Sequence, residues 1–293
     1  MMDLVTGTFI SWIATVSNLA AAPVTWIVAV FGAIVGSFLN VCILRIPEGT
    51  FFRHARSVCP TCGTPVPAWL NIPIFSWFIL RGRAACCGAR LSFQYPAVEA
   101  FTSLMFVVIY WQFPFVGQMG EGQLLIDHNA AIRFGHAAIL TCLLIVCSVI
   151  DMHHMIIPDV ISLPMIAVTP LIVMIHPELT WQSALIGVVA GGGCLYAVAW
   201  IYWLIRREVG MGMGDVKLLA GIGGWLGYQA ILPTVFYGSI LGALFGLGSM
   251  VWNRNLSMRS AIPFGPFLAI GALLHLVAGF ALKVFLLGAG SGS

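Results

Sequence analysis

Stretches of apolar residues, each near twenty long and separated by short polar turns, occupy almost the whole chain. A helix needs about 20 apolar residues to cross a bilayer. Sliding windows of that size mark eight candidate spans, approximately 24–44, 97–115, 131–150, 159–175, 183–205, 216–225, 230–251 and 262–286. The sixth is short and carries Gly221, Gly223 and Gly224. Ahead of the first span, residues 1–23 are apolar but broken by Ser and Asn, and they read as an interfacial segment. Their only charge is Asp3, so the positive n-region of a signal peptide is missing. The pattern predicts an all-α polytopic membrane protein, a bundle of about eight helices. A first span at 24–44 precedes one large loop, 45–95, and a helical core follows at 96–287. Residues 288–293 (GAGSGS) read as a linker-like tail. No internal repeat of 20–50 residues is apparent.

Composition strengthens that picture. Of 293 residues 60% are hydrophobic and 8% charged, with a mean hydropathy of +1.00. Soluble domains carry roughly 25% charged residues, and disordered chains combine low hydrophobicity with high charge. Both classes are excluded. The net charge of +3 is too small to suggest nucleic-acid binding. The placement of the charges sets a direction instead. Arg45, Arg53, Arg56, Arg81, Arg83, Arg90, Arg206, Arg207, Arg254 and Arg259 fall in one set of loops, with Lys217 at the membrane edge beside them. Only Arg133 and Lys283 fall on the other side. The positive-inside rule makes the first set cytoplasmic, and with it the 45–95 loop. Both termini then face outward.

Four cysteines, Cys42, Cys142, Cys147 and Cys194, lie within spans and read as small buried hydrophobes. The other four, Cys59, Cys62, Cys86 and Cys87, lie in the large loop. A reducing cytosol disfavours disulfides there, and four thiolates in two groups suit tetrahedral zinc. Cys59-Pro60-Thr61-Cys62-Gly63 is a good zinc-ribbon half-site. The adjacent pair Cys86-Cys87 is irregular, because neighbouring side chains point in different directions. A metal would fold a segment too small to bury its own core. The alternative is a reduced loop in which the thiols are incidental.

Carboxylates are scarce, and each one in or near a span is a functional candidate. Asp151 ends the third span and Asp215 opens the sixth, so both sit at the cytoplasmic ends of their helices. Like charges brought together cannot both ionise easily, and one shared proton gives a base and an acid in one site. The ionised member can activate water while the protonated member polarises a peptide carbonyl. Blander roles stand beside this one. Asp215 could cap its helix, and Asp151 could reach the interface beside His153 and His154. Asp159, after Pro158, suits a helix start. Glu99, early in the second span, needs a partner or faces a site.

Several short segments together resemble a known family. They are Gly36-Ser37-Phe38-Leu39-Asn40-Val41 with Arg45-Ile46-Pro47; Cys59-Pro60-Thr61-Cys62; Asn71-Ile72-Pro73-Ile74-Phe75-Ser76-Trp77; and Arg81-Gly82-Arg83. Further along come Tyr95-Pro96-Ala97-Val98-Glu99, Ile150-Asp151, Ile157-Pro158-Asp159, Gly212-Met213-Gly214-Asp215-Val216-Lys217 and Pro263-Phe264-Gly265-Pro266. In this order the chain resembles, over nearly its whole length, the bacterial type IV prepilin peptidases, aspartic proteases of the Gly-x-Gly-Asp class. The resemblance implies that Asp151 and Asp215, 64 positions apart, are the catalytic pair. It implies an inner-membrane enzyme that cuts the basic leader from prepilins and type II secretion pseudopilins at the cytoplasmic face. Many members then methylate the new N-terminal amine with S-adenosylmethionine, an activity tied to the cytoplasmic loop; Glu99 and that loop become candidates for the methyl-donor site. Family members with four cysteines carry two Cys-x-x-Cys pairs, whereas here position 84 is Ala84 and Cys86 stands beside Cys87. Zinc is then held with altered geometry, or by three thiolates and another ligand such as His54. The basic leader would be drawn to Glu48, Glu208 or lipid phosphates. Three other readings remain at this point: a peptidase whose cysteine loop is purely structural; a proton-coupled transporter, disfavoured because no acid falls at a midplane and no repeat divides the chain; and a zinc-ribbon docking protein of a pilus machine, for which both aspartates would be dispensable.

Overall fold

The computed structural model describes residues 23–51, 58–59, 61–118, 124–208, 211–252 and 263–290. Residues 1–22 of the expected interfacial segment 1–23, His54 and the last three residues of the tail fall outside them. The described residues form helices α1 (Pro23–Arg45), α2 (Phe75–Ile79), α3 (Gln94–Gln112), α4 (His128–His154), α5 (Asp159–Ala167), α6 (Thr169–Ile175), α7 (Trp181–Arg206), α8 (Met213–Leu226), α9 (Ile231–Trp252) and α10 (Gly265–Gly290). Each apolar stretch of the sequence is represented. Four helical segments among the described residues are long and apolar enough to cross a membrane: Pro23–Arg45, His128–His154, Trp181–Arg206 and Tyr228–Ser249. Gly265–Val277 is a shorter apolar helix. The expected count of eight spans is thus not established.

Local chemistry explains where the elements depart from the windows. The 159–175 stretch is two helices rather than one. Pro170 has no N–H to donate and disfavours helical geometry at Thr169, so α5 stops at Ala167 and α6 restarts with a proline in its first turn. Helix α4 starts earlier than expected because Asp127 caps it, its Oδ1 accepting from the amides of Asn129 (2.9 Å) and Ala130 (3.1 Å). Between α3 and α4 lies a small antiparallel hairpin, β1 (Val116–Gln118) with β2 (Leu124–Ile126). It is a minor β element in a chain expected to be all-α.

The chain divides into two compact units, one holding residues 1–142 and 277–293, the other 143–276. In the first unit α1 packs along α3 through two glycines one turn apart. A Cβ at Gly32 would lie 2.9 Å from Phe106 Cβ, and one at Gly36 would lie 2.7 Å from Glu99 Cα. Small residues let membrane helices approach this closely, and Ser103 Oγ then donates to Ala29 O across the contact at 2.8 Å. Val28, Phe106, Tyr110 and Ala138 form the buried cluster there.

The second unit is built around α8, most of whose residues are buried. Helix α7 meets it backbone to backbone: any Cβ at Gly187 would run into Gly223 O. On another side, Trp225 Nε1 donates to Met165 O at 2.8 Å, tying α8 to α5. The outer face of α7 is strongly apolar, with Leu185 and Val189 each 66% exposed, as a lipid-facing surface would be. Cys42 and Cys147 are buried as expected, but Cys194 is exposed on α7, since α7 buries only its glycine-rich side.

Candidate active site and thiol cluster

Asp151 and Asp215 both fall in the second unit and both are buried, at 5% and 9% exposure. Asp151 lies one turn before the C-terminus of α4, and Met155 closes that helix by donating to Asp151 O at 2.8 Å. Met155 takes a left-handed φ of 54°, which turns the chain sharply into the extended Ile156–Pro158 segment ahead of α5. Asp215 is the third residue of α8. The helix-capping alternative is therefore overturned: Gly212 occupies the N-cap position and no side chain caps the helix. A carboxylate in the first turn still gains from the exposed amides of that helix end.

The two acids are drawn together through two glycines and one isoleucine. Gly265 donates its amide to Asp151 Oδ2 at 3.0 Å. A Cβ on Gly265 would lie 2.7 Å from the same oxygen and 3.0 Å from Ile157 Cδ1. A Cβ on Gly214 would likewise lie 2.9 Å from Ile157 Cβ. Ile157 is buried and lies close to both the segment bearing Asp215 and the segment that orients Asp151. Just outside, Lys217 Nζ pairs with Asp159 Oδ1 at 2.7 Å, with the two side chains 29% and 58% exposed. Asp159 does begin α5, as expected. His153 and His154 are exposed at the end of α4. Neither Gly265 nor Ile157 was assigned a part in the chemistry by sequence reasoning, although both lie in quoted segments.

Glu99 and the cysteines fall in the first unit. Glu99 is 8% exposed on α3. It has the partners that the sequence demanded: Ile74 N–H donates to its Oε2 at 2.6 Å, and the Ser37 hydroxyl donates to it from α1. Both donors belong to segments that sequence analysis singled out without linking them to Glu99.

The four loop thiols come together, their sulfurs all within 4.8 Å of one another. Cys59 Sγ lies 3.7 Å from Cys87 Sγ, and Cys62 Sγ lies 3.2 Å from Cys86 Sγ. Sulfurs about 2.3 Å from a tetrahedral zinc stand about 3.8 Å apart, a separation within the range found in the cluster. The donor set of four soft thiolates suits zinc.

The backbone explains how the irregular pair manages this. In the first turn Cys59 N–H donates to Thr64 O at 2.9 Å and Gly63 N–H to Cys59 O at 2.9 Å. In the second, Ala84 N–H donates to Ala89 O at 2.8 Å and Gly88 N–H to Ala84 O at 2.8 Å. Gly63 and Gly88 have φ of 70° and 69°, the left-handed geometry glycine adopts at low cost. Ala84 therefore occupies the place of Cys59, and Cys87 that of Cys62. Cys86 supplies the fourth sulfur from a position equivalent to Thr61. The expectation that adjacent cysteines make a poor ligand pair is corrected: pointing apart, they reach different partners. The sulfurs share their protons unequally. Hydrogen bonding with the Thr64 hydroxyl, to which Cys62 Sγ donates at 3.2 Å, draws the Cys62 thiol down to about 6. Hydrogen bonding with Cys62 and then Cys59 pushes Cys86 up to about 12.

Comparison with known proteins agrees with these segments. Residues 30–113 match the bacterial peptidase A24 N-terminal domain, and residues 138–247 match the type IV leader peptidase family. A prepilin leader peptidase/N-methyltransferase of Xanthomonas campestris pv. campestris is 34% identical over 262 residues, 82% of this chain and 86% of that protein. Proteins of the same name from Aeromonas salmonicida and Pseudomonas aeruginosa are 34% identical (86% of this chain, 90% of the relative) and 32% identical (89% and 93%). No solved structure matches. With its apolar helices, the chain is a multi-pass membrane protein, and it belongs to the type IV leader peptidase family.

Proposed function

We propose that this protein removes the leader peptide from type IV prepilins and type II secretion pseudopilins, and then N-methylates the exposed N-terminus with S-adenosylmethionine. Asp151 and Asp215 carry the hydrolysis. The observation behind this reading is a pair of buried acids from distant parts of the chain, one held by the amide of Gly265, with Gly265 and the neighbour of Asp215, Gly214, both close against Ile157. Gly265 N–H occupies Asp151 Oδ2 as an acceptor, which leaves the other oxygen of that carboxylate to take a proton from water. Asp215, protonated, donates to the scissile carbonyl. The water adds to the carbonyl carbon, and the leaving amine then takes a proton back from the pair. No covalent intermediate forms.

The membrane is the bacterial inner membrane, and the active site and cysteine loop lie on its cytoplasmic side. That placement follows from the arginine distribution. A prepilin has a basic leader followed by an apolar helix, so its scissile bond falls at the level of acids placed at helix ends. Residues 45–95 form the cytoplasmic module, residues 96–287 the protease core, and Cys59, Cys62, Cys86 and Cys87 hold a structural zinc. A proton-coupled transporter is not favoured.

The test is cleavage of a purified prepilin in detergent by Asp151→Asn and Asp215→Asn chains. Each is expected to lower the rate at least about 100-fold, the scale of general acid–base catalysis, with expression and membrane insertion unchanged. Residual activity near wild type in either variant removes that residue from the mechanism. Label from S-adenosylmethionine on the cleaved product tests the second activity in the same reaction.

A further inference from the structure

The module between α1 and α3 carries apolar side chains on its outside. Trp69, Ile72, Phe75, Phe78, Ile79 and Phe93 are each at least half exposed, with Trp69 at 73% and Ile79 at 75%. In α2 the spacing gathers three of them on one side, because Phe75, Phe78 and Ile79 stand at i, i+3 and i+4. Ser76 and Trp77, on the other side, are partly covered. The ring of Trp77 then links α2 to the start of α3, with centroids 5.2 Å from Phe78 and 5.5 Å from Phe93. A segment folded in water does not expose so large a contiguous apolar patch without a use for it.

The position of this ledge points to its use. Helix α1 is long and apolar enough to cross a membrane, and α3 packs along it. Asn40 Nδ2 donates to Tyr95 O at 3.1 Å, which sets the end of α1 beside the start of α3. The ledge therefore begins where the two helices reach the membrane surface. Phe93 caps α3, and Leu104, about three turns further on, is exposed on the same side of that helix. The ledge is thus continuous with the apolar outer face of α3.

Charge adds a second, separate observation. Residues 45–95 hold six arginines and one acid, Glu48. Leu91 N–H donates to Gly82 O and Ala84 N–H to Ala89 O, both at 2.8 Å, so Arg83 and Arg90 are directly opposite each other across an antiparallel bridge. They form a non-hydrogen-bonded pair, the kind that brings side chains closest. Like charges opposed in this way repel. Both are exposed, and neither forms an ion pair among the described residues. An anion between them would remove the repulsion. Trp77 joins this corner to the ledge: its indole N–H lies 3.4 Å from Leu91 O, and a Cβ on Gly82 would lie 2.9 Å from its ring.

We infer that the cysteine module lies on the bilayer instead of standing in water, with the ledge sunk into the interfacial layer and Arg83 and Arg90 on the phosphate of an anionic lipid. Membrane interfaces take up aromatic side chains and amphipathic segments, and arginine suits phosphate. The inference rests on the multi-pass membrane assignment and is independent of the hydrolysis and methyl-transfer readings.

The test uses the full-length protein in vesicles of phosphatidylcholine, alone or mixed with phosphatidylglycerol. The emission of Trp69 is taken as the difference between wild type and Trp69→Phe. In the mixed vesicles it is expected to be quenched by lipids brominated on the upper acyl chain and protected from acrylamide in the water. Phe75→Ser with Ile79→Ser, at exposed positions where no packing is lost, reverses both results while the melting temperature in detergent is unchanged. Arg83→Gln with Arg90→Gln shifts the module toward water about fivefold per charge removed, in the mixed vesicles only. Quenching of wild-type Trp69 by acrylamide and not by brominated lipid overturns the inference, since the module then stands in water. Protection from both quenchers also overturns it, because a protein then covers the ledge. Equal docking in the two kinds of vesicle, or loss of metal in the arginine variant, overturns the role given to Arg83 and Arg90.

Discussion

Gly265 and Asp151 lie 114 residues apart in the chain, yet the glycine amide donates to the aspartate Oδ2 at 3.0 Å with no space for a Cβ between them. Gly265→Ala should push the carboxylate away or break that hydrogen bond. Prepilin cleavage is expected to fall about 10- to 100-fold, with a stability loss of about 1–3 kcal/mol for the overpacking. The measurement is kcat alongside thermal unfolding in detergent. Full activity in this variant would show that the amide does not orient the acid.

The α7–α8 contact should be the most substitution-sensitive packing in the second unit. Gly187→Ala and Gly223→Ala each drive a methyl group into opposing backbone, where no side chain can rotate away. Each should destabilise the protein by at least about 1–3 kcal/mol, read as a drop in melting temperature. Gly193→Ala, which meets nothing within 4 Å, is the matched control and should be neutral or slightly stabilising, as alanine favours helix over glycine.

The thiol cluster predicts about one zinc per chain by elemental analysis. Cys59→Ser should abolish it. Acid and chelators should strip it, because thiolates and not thiols bind the metal. The equivalence of Ala84 with Cys59 leads to a sharper expectation: Ala84→Cys combined with Cys86→Ala should restore a regular pair and keep the metal at the same stoichiometry. Loss of zinc in that double variant would mean that the two turns are not equivalent.

The Lys217–Asp159 pair is short but partly exposed. Asp159→Asn should therefore cost no more than about 1 kcal/mol, and less at high salt. A larger, salt-independent loss would point to a buried role for Asp159.

Much of this was legible in the chain itself, though unevenly. Apolar windows located the helices because membrane solvation demands long apolar runs, and they failed at Thr169-Pro170, where one missing N–H outweighs apolar continuity. The scarcity of acids singled out Asp151, Asp215 and Glu99 before any coordinates. Their partners could not be read in the same way. The Gly265 amide and the Ile74 amide are backbone groups, which carry no residue-type signal, and Asn40 meets the Tyr95 carbonyl only once α1 and α3 have packed. The Cys86-Cys87 pair misled for a related reason: spacing along the chain suggested a poor chelate, whereas left-handed glycines at 63 and 88 fold two hydrogen-bonded turns against each other.

The glycine seam between α7 and α8 also bears on how a substrate gains access. Two backbones in direct contact cannot slide or part without losing their fit, so the pair behaves as a fixed post with Asp215 mounted on it. A gap admitting an incoming polypeptide would open more readily on the flank formed by α5, α6 and the Ile156–Pro158 bend, where helices are short and proline-broken and the Lys217–Asp159 pair at the outer edge is washed by solvent. Gatekeeping would then rest with the least rigid part of the second unit.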